Sequence, residues 1–77
     1  MSKEKEIVEK KALYFKETGK MSHVLLISGK FYNGIIDYVG ADFFQIQDRK
    51  LGAFPIFFME VENISPFVEP ENIKEIK

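Results

Sequence analysis

The sequence has no cysteine, only one histidine and no long run of apolar residues. Without cysteine no disulfide can form, and one imidazole falls short of the ligand set that a zinc site needs. No stretch of about 18 apolar residues is available to cross a membrane. The first residues are rich in Lys and Glu, whereas a signal peptide needs an apolar segment there. We therefore expect a cytoplasmic protein with no cofactor, no metal and no membrane partner.

Neither sign of charge dominates the chain, which has 11 basic and 12 acidic side chains and a formal net charge of −1. The overall field therefore does not attract polyphosphate, and a protein that coats DNA nonspecifically is excluded. The length of 77 residues predicts a single domain over residues 1–77. A chain this short buries only about 60% of its unfolded surface. Self-association is the remaining source of additional stability.

Apolar spacing in the first third of the chain predicts one amphipathic helix. Val8, Ala12 and Phe15 recur at intervals of four and three residues, which places them on one face of a helix. Gly19 follows the last periodic residue, and glycine is the residue that most often ends a helix. The predicted helix covers about residues 2–18.

After the helix the pattern changes to short runs rich in Val, Ile, Phe and Tyr, separated by Gly, Asn, Asp and Pro, which predicts β-strands. Gly34 lies inside the second run and indicates a sharp bend or bulge. Five short antiparallel strands with such a bend are enough to close a small barrel. The predicted strands cover about residues 24–27, 31–39, 43–48, 54–61 and 63–68, and a polar tail follows over 69–77.

The run from Val24 to Asp48 resembles, without a gap, the first motif of the Sm-like family, which includes Sm, Lsm and Hfq proteins. Gly29 corresponds to the glycine of the first hairpin and Gly34 to the glycine of the bend. The run from Phe57 to Pro66 is similar to the fourth strand of Hfq and its apolar-x-Pro ending. The resemblance implies an N-terminal helix before a strongly bent, five-stranded SH3-like barrel. It also implies a hexameric or heptameric ring, formed by pairing strand four with strand five of the neighbour.

The apolar composition of the fourth strand also favours an interface between copies. Apolar side chains occupy both of its alternating sets, so that both faces need cover, and an uncovered edge of this kind promotes aggregation. The alternative is a monomer in which the helix covers one face and the core takes the other. The predicted interface residues are Ile56, Phe57, Phe58, Met59, Val61 and Ile64.

RNA binding is the function that the resemblance implies, and its candidate residues begin in the turn before strand three. The candidates there are Asp42, Phe43 and Phe44. Phe44 stands where Sm proteins carry a base-contacting asparagine, Gly40 replaces the usual aspartate, and Phe43 is suited to stack on a base. The alternative is that Phe43 and Phe44 only fill the core and a subunit contact. After strand four, Phe58 and Met59 stand where the family has a Lys-His pair, so the charge usual at that position is missing.

The remaining cationic candidates for RNA contact lie in two turns and on the helix. They are Lys30 in the first hairpin, Arg49 and Lys50 after strand three, and Lys10, Lys11 and Lys16 on the helix. Tyr32 and Tyr38 are predicted to share one face of strand two. Catalysis finds little support, because His23 is the only histidine and its position predicts a partly exposed strand residue.

Two functions from different classes follow from these observations. The first is an RNA-binding Sm-like ring protein that acts on single-stranded RNA as an RNA chaperone. The second is a small-barrel oligomerisation or protein-interaction adaptor that has lost RNA binding. Neither is an enzyme.

Overall fold

The computed structural model describes residues 2–68, with side chains from Lys5 onward. The polar tail predicted over residues 69–77 lies outside this range. Among the described residues, no helix combines the length and hydrophobicity needed to span a membrane. The elements, in chain order, are α1 (Ser2–Thr18), β1 (Met21–Leu26), β2 (Phe31–Val39), β3 (Phe43–Asp48), β4 (Gly52–Phe57), a 3₁₀ turn (Phe58–Glu60) and β5 (Val61–Pro66).

The helix begins and ends where the sequence predicts. Gly19 adopts a φ of 70°, and its N–H donates to the carbonyl oxygen of Phe15 at 3.0 Å. This bond satisfies one of the carbonyls left free at a helix end, in a conformation that glycine adopts without strain. Val8, Ala12 and Phe15 are all buried, so the predicted apolar face is the one that packs on the sheet.

The five strands form one antiparallel sheet in the order β4-β3-β2-β1-β5. The predicted fold class, an N-terminal helix followed by a strongly bent five-stranded sheet, is confirmed. β4 and β5 are the two edges of this sheet, and they do not pair with each other.

Gly34 allows β2 and β3 to approach closely where the sheet bends. A Cβ atom at this position would overlap the main-chain carbonyl of Gln47, so only glycine fits. The buried hydroxyl of Ser22 donates to the carbonyl oxygen of Gly34 at 3.0 Å. The register of β2 against β3 shifts between Ile36 and Tyr38, so the irregular pairing lies beyond the glycine.

This shift also separates the two tyrosines of β2. Tyr32 packs against the core, with its ring centroid 4.7 Å from that of Phe54. Tyr38 is half-exposed beside Phe43. The prediction that both tyrosines share one face is wrong, because strict alternation fails where a strand has an extra residue.

The fourth strand is shorter than predicted. β4 ends at Phe57, and the 3₁₀ turn occupies residues expected to continue the strand. Phe58 and Val61 are both buried, and a strand would place residues three apart on opposite faces. In a 3₁₀ turn, residues three apart lie on the same side, so the turn allows both side chains to enter the core.

Candidate nucleic-acid interface

The β3–β4 turn presents two of the predicted cationic side chains. Arg49 and Lys50 are both exposed. One carboxylate oxygen of Asp48 accepts the N–H of Lys50 at 2.8 Å and that of Leu51 at 3.0 Å. These two bonds, the one from Leu51 first, hold the pKa of Asp48 below its ordinary value of 3.8. Gly52 closes the turn with a φ of 84°.

Beside this turn lies a groove of ≈ 300 Å³, which we call the turn groove. It combines the two cationic side chains with aromatic rings from β2 and from the chain after β5. Such a lining offers charge for phosphates and flat apolar faces for bases. The lining residues are Met21, Phe31, Tyr32, Asn33, Asp48, Arg49, Lys50 and Phe67.

Phe31 is the most exposed ring of the turn groove, with 57% of its surface accessible. His23 on the neighbouring strand supports it, with ring centroids 5.2 Å apart and planes tilted by 34°. Nδ1 of His23 lies 2.6 Å from Oδ1 of Asn33. Because an amide oxygen only accepts, the imidazole N–H donates, and the bond orients the histidine ring.

The turn before β3 lies at the other end of that six-residue strand, whose two ends are about 17 Å apart at the usual rise per residue. Asp42 is exposed, and its carboxylate lies 3.9 Å from Nζ of Lys5. Phe43 is half-buried, with ring centroids 5.7 Å from Tyr38 and 6.0 Å from Phe57. The structure therefore divides the predicted RNA-contacting residues into two separate groups.

Phe44 belongs to neither group, because its side chain is fully buried in the core. Its ring centroid lies 5.3 Å from that of Phe58. The prediction that Phe44 contacts RNA is wrong, since side chains alternate along β3 and Phe43 takes the outer position.

Lys30 is exposed in the β1–β2 turn, and its carbonyl oxygen accepts the N–H of Leu26 at 2.8 Å. It directly precedes Phe31 and therefore adds a third cation to the chain segment that borders the turn groove.

Most of the predicted interface side chains fill the protein's own core. Ile56, Phe58, Val61 and Ile64 are buried within the single chain, so these side chains face its own core, and their place in an interface between copies stays a prediction. The sequence predicts a second apolar face on strand four because the apolar run continues beyond Phe57. In the structure β4 ends at Phe57, so this run does not form one strand. Phe57 and Met59 remain exposed, at 47% and 82%.

A second groove, of ≈ 680 Å³, lies between α1 and the start of β5. We call it the helix groove. Nζ of Lys11 donates to Oδ1 of Asn63 at 2.8 Å and ties the two elements together across it. The sequence does not predict the helix groove, because residues far apart in the chain form it. Its lining residues are Lys5, Ile7, Val8, Lys11, Ile27, Phe58, Met59, Val61, Glu62 and Asn63.

Comparison with known proteins gives one informative result. No family model matches the chain, and no curated protein matches it by sequence. The chain is similar to a 1.55 Å crystal structure of the pleiotropic translational regulator Hfq, with a TM-score of 0.68 and 15% sequence identity. The match covers 77% of this chain and 97% of that one. At this identity the likeness establishes the fold, with the helix and the bent sheet in common.

Proposed function

We propose that the protein binds single-stranded RNA as a homo-oligomeric, hexameric or heptameric Sm-like ring and acts as an RNA chaperone. The fold supports this proposal, because it is shared with a structure described as that of a translational regulator. The observation that carries it is the turn groove, in which two cations adjoin the exposed ring of Phe31.

The chemistry of the turn groove suits a single strand of RNA. Arg49 and Lys50 supply charge for phosphates, and Phe31 offers an exposed face on which a base stacks. Each base stacked on an aromatic ring contributes about 1–3 kcal/mol, with little dependence on sequence. Because the net charge of the chain is −1, attraction to RNA has to come from this local cluster.

The arrangement of the sheet supports assembly. β4 and β5 are the open edges of the sheet, and their different sequences favour head-to-tail contact between copies. A head-to-tail contact that closes on itself makes a ring, which repeats the cations of the turn groove once per copy.

Exposed apolar side chains lie beside both edges. Phe57 on β4 joins Tyr38 and Phe43 in an aromatic cluster that is partly open to solvent. Beside β5, the helix groove exposes Ile7 and Met59. Exposed aromatic and methionine side chains are typical of the central part of a protein interface.

The proposal is tested on the full chain by light scattering during size exclusion, followed by fluorescence anisotropy with short A-rich and U-rich RNAs. We expect an oligomer whose RNA binding weakens as salt rises. The double variant Arg49→Glu, Lys50→Glu is expected to bind roughly 10-fold more weakly or worse, because it reverses two local charges. Phe31→Ala is expected to lose roughly 5-fold through lost stacking.

The double variant Lys10→Glu, Lys16→Glu is the comparison, because it tests the other candidate cations, those of α1. It changes the net charge by the same amount at exposed positions on α1, away from the turn groove. Equal weakening by both double variants would contradict a local site. An oligomer that binds neither RNA, even at low salt, would refute RNA binding and favour the protein-interaction adaptor.

A further inference from the structure

The open edge of β4 lacks most of the features that normally prevent uncontrolled strand pairing. The strand contains no charged residue, and its apolar side chains include the exposed Phe57. Natural edge strands usually carry charges, bulges or prolines that interrupt pairing. In β4 the only such feature is Pro55, in the interior of the strand.

The position of Pro55 decides which hydrogen bond it removes. The N–H of Phe58 donates to the carbonyl oxygen of Asp42 at 2.9 Å, which identifies a bonded pair of the β3–β4 ladder. Bonded and non-bonded pairs alternate along an antiparallel ladder. The main-chain groups of Ala53, Pro55 and Phe57 therefore point away from β3, toward the open edge. Pro55 removes no bond within the chain and withholds the central donor of that edge.

The edge of β5 has a related gap. The N–H of Phe67 donates to the carbonyl oxygen of Met21 at 3.2 Å, which identifies a bonded pair between β5 and β1. Bonded pairs recur every second residue, so Ser65 also bonds to its partner on β1. The main-chain groups of Ile64 and Pro66 then point outward. Pro66 again offers a carbonyl and no donor. Each open edge thus lacks one N–H.

We propose that Pro55 interrupts the ladder between the β4 strand of one copy and the β5 strand of the next, and so weakens each contact of the assembly. This inference rests on the proposed assembly and adds what controls its strength. Whichever β5 residue lies opposite Pro55, its carbonyl oxygen receives no hydrogen bond. The other outward main-chain groups of β4 remain able to pair, and Phe57 is the exposed aromatic group nearest the gap.

Sedimentation velocity over a dilution series tests this inference on the full chain. Pro55→Ala and Pro55→Val each restore the missing N–H, with side chains of different size. Both are expected to lower the dissociation constant of each contact about 5-fold, the effect of one additional hydrogen bond. Ala53→Val is the matched control, because it enlarges a neighbouring side chain on the same edge and leaves every donor in place.

The outcomes separate the inference from the assembly on which it depends. Tighter association of both Pro55 variants, with Ala53→Val unchanged, supports the inference. A wild-type oligomer that the Pro55 variants do not tighten would overturn the inference alone. Wild-type and variant chains that all remain monomeric at every concentration would overturn the proposed ring as well.

Discussion

Asp48 shows how a single carboxylate organises the turn that carries the candidate cations. It accepts two main-chain N–H groups, from Lys50 and Leu51, and these bonds lower its pKa. A group with a lowered pKa in the folded state stabilises the protein fully above its unfolded pKa. That stabilisation disappears as the pH falls through the folded pKa. The order of the β3–β4 turn should therefore depend on pH only in acid.

Asp48→Asn is expected to test this charge, because asparagine keeps the shape and removes the ionised group. The variant should be less stable than wild type at pH 7, and the difference should shrink as the pH falls below about 4. Urea unfolding midpoints at pH 7, 4 and 2.5 measure it. A difference that stays constant over this range would show that the carboxylate charge plays no part.

Gly34 and the tyrosines of β2 show how far local signals predict individual residues. The interior position of Gly34 indicated a bend, and the structure has a close approach of two strands there. The extra residue between Ile36 and Tyr38 has no such signal. A bulge depends on how two strands pair and twist, and the residues of one strand alone do not determine this.

Among the elements, α1 depends most clearly on tertiary packing. It carries many charged side chains, and from Lys5 onward its buried side chains are Val8, Ala12 and Phe15, which pack on the sheet. Most helical stability in proteins comes from packing of such a face. Loss of the largest of the three side chains should therefore weaken the contact between helix and sheet.

Phe15→Ala is expected to destabilise the fold by about 3 kcal/mol, because it leaves a cavity where a buried ring was. Leu13→Ala is the control on the same helix, since Leu13 is largely exposed, and its effect is expected to stay within about 0.5 kcal/mol. Urea denaturation followed by circular dichroism measures both. Similar losses for the two variants would argue against the observed orientation of the helix.

The 3₁₀ turn is the element that sequence patterns did not predict. Phe58 and Met59 are apolar and suited to a strand, yet the chain leaves the strand there and Phe58 enters the core. Local preference is weaker than the burial of a large aromatic ring, which contributes about 1.5–3 kcal/mol.

For the molecule as a whole, the sheet has two open edges, β4 and β5. Ile56, Phe58, Val61 and Ile64 are all buried in the core of the single chain. The proposed assembly therefore has to depend on main-chain groups at the edges and on the few exposed apolar side chains beside them. Phe57 is the exposed large apolar side chain on β4.

Phe57→Ser is expected to shift the protein toward the monomer while changing the stability of the monomer by less than about 1 kcal/mol. Leu51→Ser is the matched control, because it removes a similarly exposed apolar group in the β3–β4 turn, before β4 begins. Light scattering gives the oligomeric state, and urea denaturation gives the stability. An oligomer that persists in Phe57→Ser would place the contact elsewhere.

Signals that are local in the chain were sufficient for α1, β2 and β3, whose bounds agree with the prediction. Gly19 ends the helix by its own conformational freedom, and period-two alternation identifies a strand wherever it occurs. Local sequence also predicts that Arg49 and Lys50 are exposed, because charged residues in a turn usually remain in contact with solvent.

Only the folded chain settles which of two neighbouring apolar residues is inside and which segments lie side by side. Alternation predicts that Phe43 and Phe44 face opposite ways, but the packing of α1 and Phe58 determines which of them is buried. The turn groove and the helix groove likewise join residues that are distant in sequence. Burial depends on the whole packed core, and the residues of one segment do not determine which other segments pack against it.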